Sequence, residues 1–131
     1  MDYQQAVDLI RADVPDLVAV YAFGSRARGT SRGDSDLDLA VLAPNRLAAE
    51  LRWNVQEQLA RSLRVDVDLI DLRSVPTVTQ KEIVATGTVI FGLDASARRA
   101  FEGLVLSTYA RLNEERREIL ERVLAEGRVH G

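Results

Sequence analysis

Leu17-Val18-Ala19-Val20-Tyr21-Ala22-Phe23-Gly24-Ser25, a spacer of ten residues, and then Asp36-Leu37-Asp38-Leu39-Ala40-Val41-Leu42 form the stretch on which the fold turns. The first run is densely apolar and ends at glycine, the pattern of a buried strand. The second begins with acid and apolar residues in alternation, so it reads as a strand with Asp36 and Asp38 on one face. Between them, residues 25–35 are polar and punctuated by glycine, which predicts a loop that opens with one helical turn. Asp34 lies in that loop and reads as a turn residue.

Two carboxylates at i and i+2 repel each other unless a cation lies between them. Carboxylate oxygens with open coordination positions suit Mg²⁺, which keeps water and takes phosphate oxygens as further ligands. Gly24 and Ser25 complement them. A strand that ends in glycine and turns into a helical start presents free N–H groups, and these with a hydroxyl bind phosphate. Arg26, Arg28 and Arg32 follow in the same loop, and guanidinium groups pair well with phosphate. Of these, Arg26 and Arg28 are the candidate nucleotide contacts.

Working outward, residues 2–13 form an amphipathic helix with Ala6, Val7, Leu9 and Ile10 on its apolar side, stopped by Pro15. Pro44 and Asn45 introduce a second helix, in which Leu47, Leu51, Val55, Leu59 and Leu63 recur every four residues. Residues 65–72 alternate again and predict a third strand. Asp66 and Asp68 share one face of it, and Val67, Leu69 and Asp71 share the other. Either Asp66 or Asp68 can complete a three-acid cluster with Asp36 and Asp38. Such a cluster suits two metal ions. A short helix over 77–86 ends at Gly87 and leads to a small strand, Thr88 to Phe91. From Asp94, a plausible N-cap, the pattern is helical to about residue 125. Phe101, Leu104, Val105, Thr108, Leu112, Ile119 and Val123 fall on one side of it.

The chain has 131 residues, 47% hydrophobic and 28% charged, and no cysteine. That is the composition of one globular domain without disulfides or thiolate metal sites. The N-terminal Met1-Asp2-Tyr3-Gln4-Gln5 shows no signal-peptide pattern, and no apolar run is long enough to span a membrane. A cytoplasmic location is expected. Net charge is −3, so nucleic acid is not expected as a main partner. A single histidine, His130, leaves no material for histidine-based hydrolysis.

In Gly24-Ser25, the spacer, Asp36-x-Asp38 and a later acidic strand, the chain resembles the DNA polymerase β-like nucleotidyltransferase superfamily. Its short length and ten-residue spacer are similar to those of the minimal nucleotidyltransferases. Val67-Asp68-Leu69-Ile70-Asp71-Leu72, Pro76, Lys81-Glu82-Ile83 and Gly87-Thr88-Val89-Ile90-Phe91 extend the likeness across about residues 17–92. The resemblance implies an α+β fold: a small mixed sheet of about four strands, flanking helices and a long C-terminal helix. It implies one nucleotidyltransferase domain over 1–131, with a core over about 1–92 and the terminal helix over about 94–125. Asp36 and Asp38 would be metal ligands, Asp68 the third acid, and Gly24 and Ser25 the triphosphate holders.

Members of this kind are commonly encoded beside a HEPN-domain toxin and act as its antitoxin. The resemblance therefore implies transfer of AMP from ATP to a tyrosine of that toxin, with two Mg²⁺ ions and a hetero-oligomeric complex. Two alternatives stand beside it: an antitoxin that acts by binding alone, and a nucleotidyltransferase acting on RNA or a small-molecule hydroxyl.

Several residues have plainer readings. Trp53 is expected in the core, at a helix–sheet contact. Asp71 reads as a strand-end acid, and His130 as part of a disordered tail. Tyr3, Tyr21 and Tyr109 are conceivable self-modification targets with nothing to choose between them. The second half of the terminal helix, rich in Glu and Arg at i,i+3 and i,i+4, is self-supporting. A domain this small does not bury all of that helix's apolar side, so residues 105–125 are expected to join a protein–protein contact.

Overall fold

The computed structural model describes residues 2–24 and 36–130, with side chains to residue 127. Residues 25–35, and with them Ser25, Arg26, Arg28, Arg32 and Asp34, lie outside the described residues.

Among the described residues the order is α1 (Gln4–Asp13), β1 (Ala19–Phe23), β2 (Leu37–Leu42), α2 (Ala49–Leu63), β3 (Val67–Asp71), α3 (Thr77–Thr86), β4 (Thr88–Gly92) and α4 (Ala95–His130). The strands form one mixed sheet in the order β3-β2-β1-β4. β1 is antiparallel to both β2 and β4, while β2 and β3 are parallel. A parallel pair needs a crossover, and α2 supplies it. The architecture is the α+β arrangement expected.

Strand alternation divides the core in two. Val20, Ala22, Leu39, Val41 and Leu69 face Ile10 of α1 and Val55 and Leu59 of α2. Ala19, Tyr21, Ala40 and Leu42 face Ile83 of α3 and Phe101 and Val105 of α4. Asp38 and Asp68 have the parity of the second face, so they share a side of the sheet with α3 and α4.

Helix ends follow local chemistry. The Val14 N–H donates to Ile10 O at 2.9 Å, and Pro15 then bars another turn. The Gly87 N–H donates to Ile83 O at 2.7 Å and closes α3 where expected. The Asp94 carboxylate accepts from the N–H groups of Ser96 and Ala97 at 3.0 and 3.2 Å, capping α4 as its sequence indicated.

Four expectations need correction. The second helix starts at Ala49, not near Leu47, because the Leu47 N–H is held by Asp71 Oδ2 at 2.8 Å. Leu47 still packs on the core, from the loop. Trp53 is 54% exposed. It lies two residues from Val55, which turns it about 200° from the buried stripe. The terminal helix runs on to His130, so that residue closes a helix and is not in an irregular tail. Finally, β2 begins at Leu37, so Asp36 precedes the strand and does not lie within it. As expected, the apolar side of α4 is not covered throughout: Phe101 and Val105 are buried, but Leu104, Leu112, Ile119 and Val123 are exposed.

β3 is an edge strand, and its outer backbone groups are shielded. Gln56 Oε1 accepts from the Leu69 N–H at 2.9 Å, and Arg52 Nη1 donates to Leu69 O at 3.0 Å. Side chains of α2 thus occupy the positions that another strand would use.

Candidate active site

The site lies where β1 ends and β2 and β3 begin. Phe23 pairs with Asp38 across the β1–β2 ladder, and Gly24 is the next residue. Gly24 has φ +76°, in the region where side chains are disfavoured. Space demands glycine as well: a Cβ there would overlap Asp38 Oδ2 and stand 3.0 Å from Asp38 Cγ. The end of β1 therefore rests directly against the carboxylate that opens β2.

Asp38 and Asp68 are register partners on the parallel strands. Neighbouring strands lie about 4.8 Å apart, so side chains of equal parity at one register position stand side by side. Asp36 is exposed and immediately precedes β2. Burial raises the pKa of the Asp38 carboxyl, and the charges of Asp68 and then Asp36 raise it further. The three acids predicted for the site are therefore within electrostatic reach of one another. Among the described residues, no three His, Cys, Asp or Glu side chains form a preformed metal cage. The arrangement is an open edge of hard oxygen donors in which the central acid resists ionising. A divalent cation suits both features, since it takes such donors and stabilises their charged form.

Asp66 and Asp71 have different settings from Asp68. Asp66 is exposed, and its carbonyl accepts from the Leu37 N–H at 2.8 Å and aligns β3 with β2. Asp71 is 2% exposed and sits at the other end of β3. Its carboxylate accepts from the Leu47 N–H at 2.8 Å, the Arg73 N–H at 3.1 Å and the Ser74 hydroxyl at 2.8 Å. It fastens two loops and takes no part in the acid edge. No periodicity could reveal that role, because its partners come from 24 residues upstream as well as from the adjacent turn.

Sequence reasoning also missed the surroundings. A cleft of about 260 Å³ opens beside Asp68, bounded by Leu47, Arg52, Ile70 and Val75. Tyr21 is buried, and its hydroxyl donates to Glu102 at 2.7 Å, which ties β1 to α4. Burial and the Glu102 carboxylate push the Tyr21 phenol well above its ordinary pKa. Its burial sets it apart from Tyr3 and Tyr109, which are partly exposed, as a modification target. No helix among the described residues is long and apolar enough to cross a membrane.

Comparison with known proteins gives a consistent setting for this geometry. The family described as polymerase beta, nucleotidyltransferase, matches residues 5–96. The protein adenylyltransferase MntA of Shewanella oneidensis is 36% identical over 125 residues, covering 95% of this chain and 89% of the relative. A crystal structure of a toxin–antitoxin with AMP-PNP contains a chain that superposes with a TM-score of 0.84 at 35% identity. That match covers 95% of this chain and 99% of the other. A complex of tri-AMPylated Shewanella oneidensis HEPN toxin with MNT antitoxin gives 0.75 at 34% identity, with coverage of 92% and 93%. A putative minimal nucleotidyltransferase gives 0.55 at 26% identity, covering 66% of this chain but 94% of its own.

Proposed function

The chain belongs to the polymerase beta nucleotidyltransferase family, and from that premise we propose that it is a Mg²⁺-dependent protein adenylyltransferase. It moves AMP from ATP to a tyrosine hydroxyl of a HEPN-domain toxin and thereby acts as the antitoxin of that partner. The observation that carries this reading is the in-register pairing of Asp38 with Asp68, with Gly24 against Asp38. It stands in a chain 36% identical over 95% of its length to a protein adenylyltransferase.

The reaction is balanced by one bond made and one broken. The acceptor oxygen attacks the α-phosphorus, the bond to the bridging oxygen breaks, pyrophosphate leaves, and the hydroxyl proton goes to a base. Asp36, Asp38 and Asp68 would hold two Mg²⁺ ions. When bound, these supply Lewis-acid stabilisation of the attacking and leaving oxygens. The remaining work belongs to the chain. Gly24 would allow close approach of backbone to the triphosphate, and Ser25, Arg26 and Arg28 are the residues we assign to hold its phosphates. Asp68 is more exposed than Asp38, which suits it to receive the hydroxyl proton. A reaction that consumes ATP is consistent with the cytoplasmic location expected from the sequence.

The test is intact-mass measurement of the protein encoded beside this chain, expected to be a HEPN-domain toxin, after incubation with the chain, Mg²⁺ and ATP. Whole AMP units should appear on it, and the Asp36→Asn, Asp38→Asn variant should add none. A stable complex without any mass change would make the chain an antitoxin by binding alone. Neither complex nor mass change would leave RNA or small-molecule acceptors.

A further inference from the structure

One apolar stripe runs along α4, and the domain covers only its start. Phe101, Val105, Leu112, Ile119 and Val123 follow at intervals of four, seven, seven and four residues, which keeps them on one helix face. Phe101 and Val105 are buried against the sheet. Leu112, Ile119 and Val123 continue the same line at 42%, 57% and 57% exposure, and Leu120 widens it. Ion pairs Arg111–Glu115 and Arg117–Glu114 support this part of the helix from its polar sides. An apolar line that outruns its own core marks a contact surface.

Two observations select its occupant. Chains crystallised with a toxin match this one over 95% and 92% of its length, coverage that cannot be reached without α4. The putative minimal nucleotidyltransferase is matched almost end to end by two thirds of this chain, so a nucleotidyltransferase fold is complete without so long an extension. Size gives the second argument. The stripe offers Leu112, Ile119, Leu120 and Val123, few beside the roughly 20–30 residues a side of a stable interface. Helix-to-helix pairing with a second copy through this stripe is therefore too small. A protein substrate that also reaches the acids has both areas available.

We infer that the face formed by Leu112, Ile119, Leu120 and Val123 docks an apolar surface of the protein substrate, the HEPN toxin. The inference rests on the adenylylation reading for the identity of that substrate. Val123 lies roughly 27 Å along the helix from Val105, far from the reacting atoms. Contacts so remote hold the ground and transition states equally, and so lower KM without changing kcat.

The test compares wild type, Ile119→Asp with Val123→Asp, and Glu121→Lys on the opposite face. Binding of the neighbour-encoded HEPN protein is measured by calorimetry, its AMP transfer by intact mass over time, and AMP-PNP binding separately. The double variant should bind at least tenfold more weakly and show KM raised to match. Its kcat and AMP-PNP affinity should be unchanged, and Glu121→Lys should behave as wild type. If circular dichroism shows helix loss, Ile119→Gln with Val123→Gln carries the same comparison. Unchanged binding and KM would overturn the inference, as would a wild-type dimer that the double variant dissociates. Weakened binding without AMP transfer by wild type would keep the docking face and remove the adenylylation reading.

Discussion

Gly24 and Asp38 meet at the end of the β1–β2 ladder, where the space of a Gly24 side chain is already filled by the Asp38 carboxylate. The glycine thus has two independent reasons to be there, a positive φ and a steric contact. It fixes how closely the phosphate-side backbone and the metal-side acid can approach.

Gly24→Ala should therefore damage activity more than stability. The φ strain costs about 1–2 kcal/mol, measurable by urea denaturation. AMP transfer should fall by about 100-fold or more, because the added methyl must displace Asp38 from the acid edge. Near-normal transfer would show that this approach does not matter to the chemistry.

Asp38 should oppose folding when it is ionised and metal is absent. Its folded-state pKa is raised, by burial first and then by Asp68 and Asp36. Below the unfolded pKa both states are protonated and there is no penalty. As pH rises through the raised folded value, the folded state loses stability. In EDTA at neutral pH, Asp38→Asn should raise Tm by a few degrees, and the gain should vanish in acid. Mg²⁺ should raise the Tm of wild type and not that of the variant. Thermal melts across pH check both signs.

Asp68 and Asp66 should separate in kinetics. Asp68→Asn is expected to lower AMP transfer by about 100-fold or more, while Asp66→Asn stays near wild type, since only its carbonyl is engaged with β2. Single-turnover transfer followed by mass decides between them. The reverse order would exchange the two roles.

Asp71 should matter for stability. Asp71→Ala strands the Leu47 and Arg73 N–H groups and the Ser74 hydroxyl. The expected loss is roughly 3 kcal/mol, read as a lower urea midpoint. AMP-PNP affinity of the remaining folded protein should be close to wild type.

Much of this protein is written in local pattern. Alternation in residues 36–42 and 65–72 pointed to the strands that carry Asp38 and Asp68, with Asp36 just ahead of the first, and the strand parity put Asp38 and Asp68 on one face. Gly87 and Asp94 marked helix boundaries because glycine and a capping carboxylate act on their immediate neighbours. Those features depend on a few adjacent residues, so the sequence by itself determined them. What it could not carry were relations between distant segments. The pairing of Asp38 with Asp68 required β2 and β3 to be parallel neighbours in register. The different settings of Asp66 and Asp68, and the hydrogen bonds of the buried Asp71 to Leu47 and Ser74, follow from that assembly. The line from Phe101 to Val123 is uniform in sequence, yet the sheet ends beneath Val105 and leaves the rest uncovered. Periodicity specifies which residues share a face, but only the tertiary structure decides what that face meets, because contact depends on where other parts of the chain come to lie.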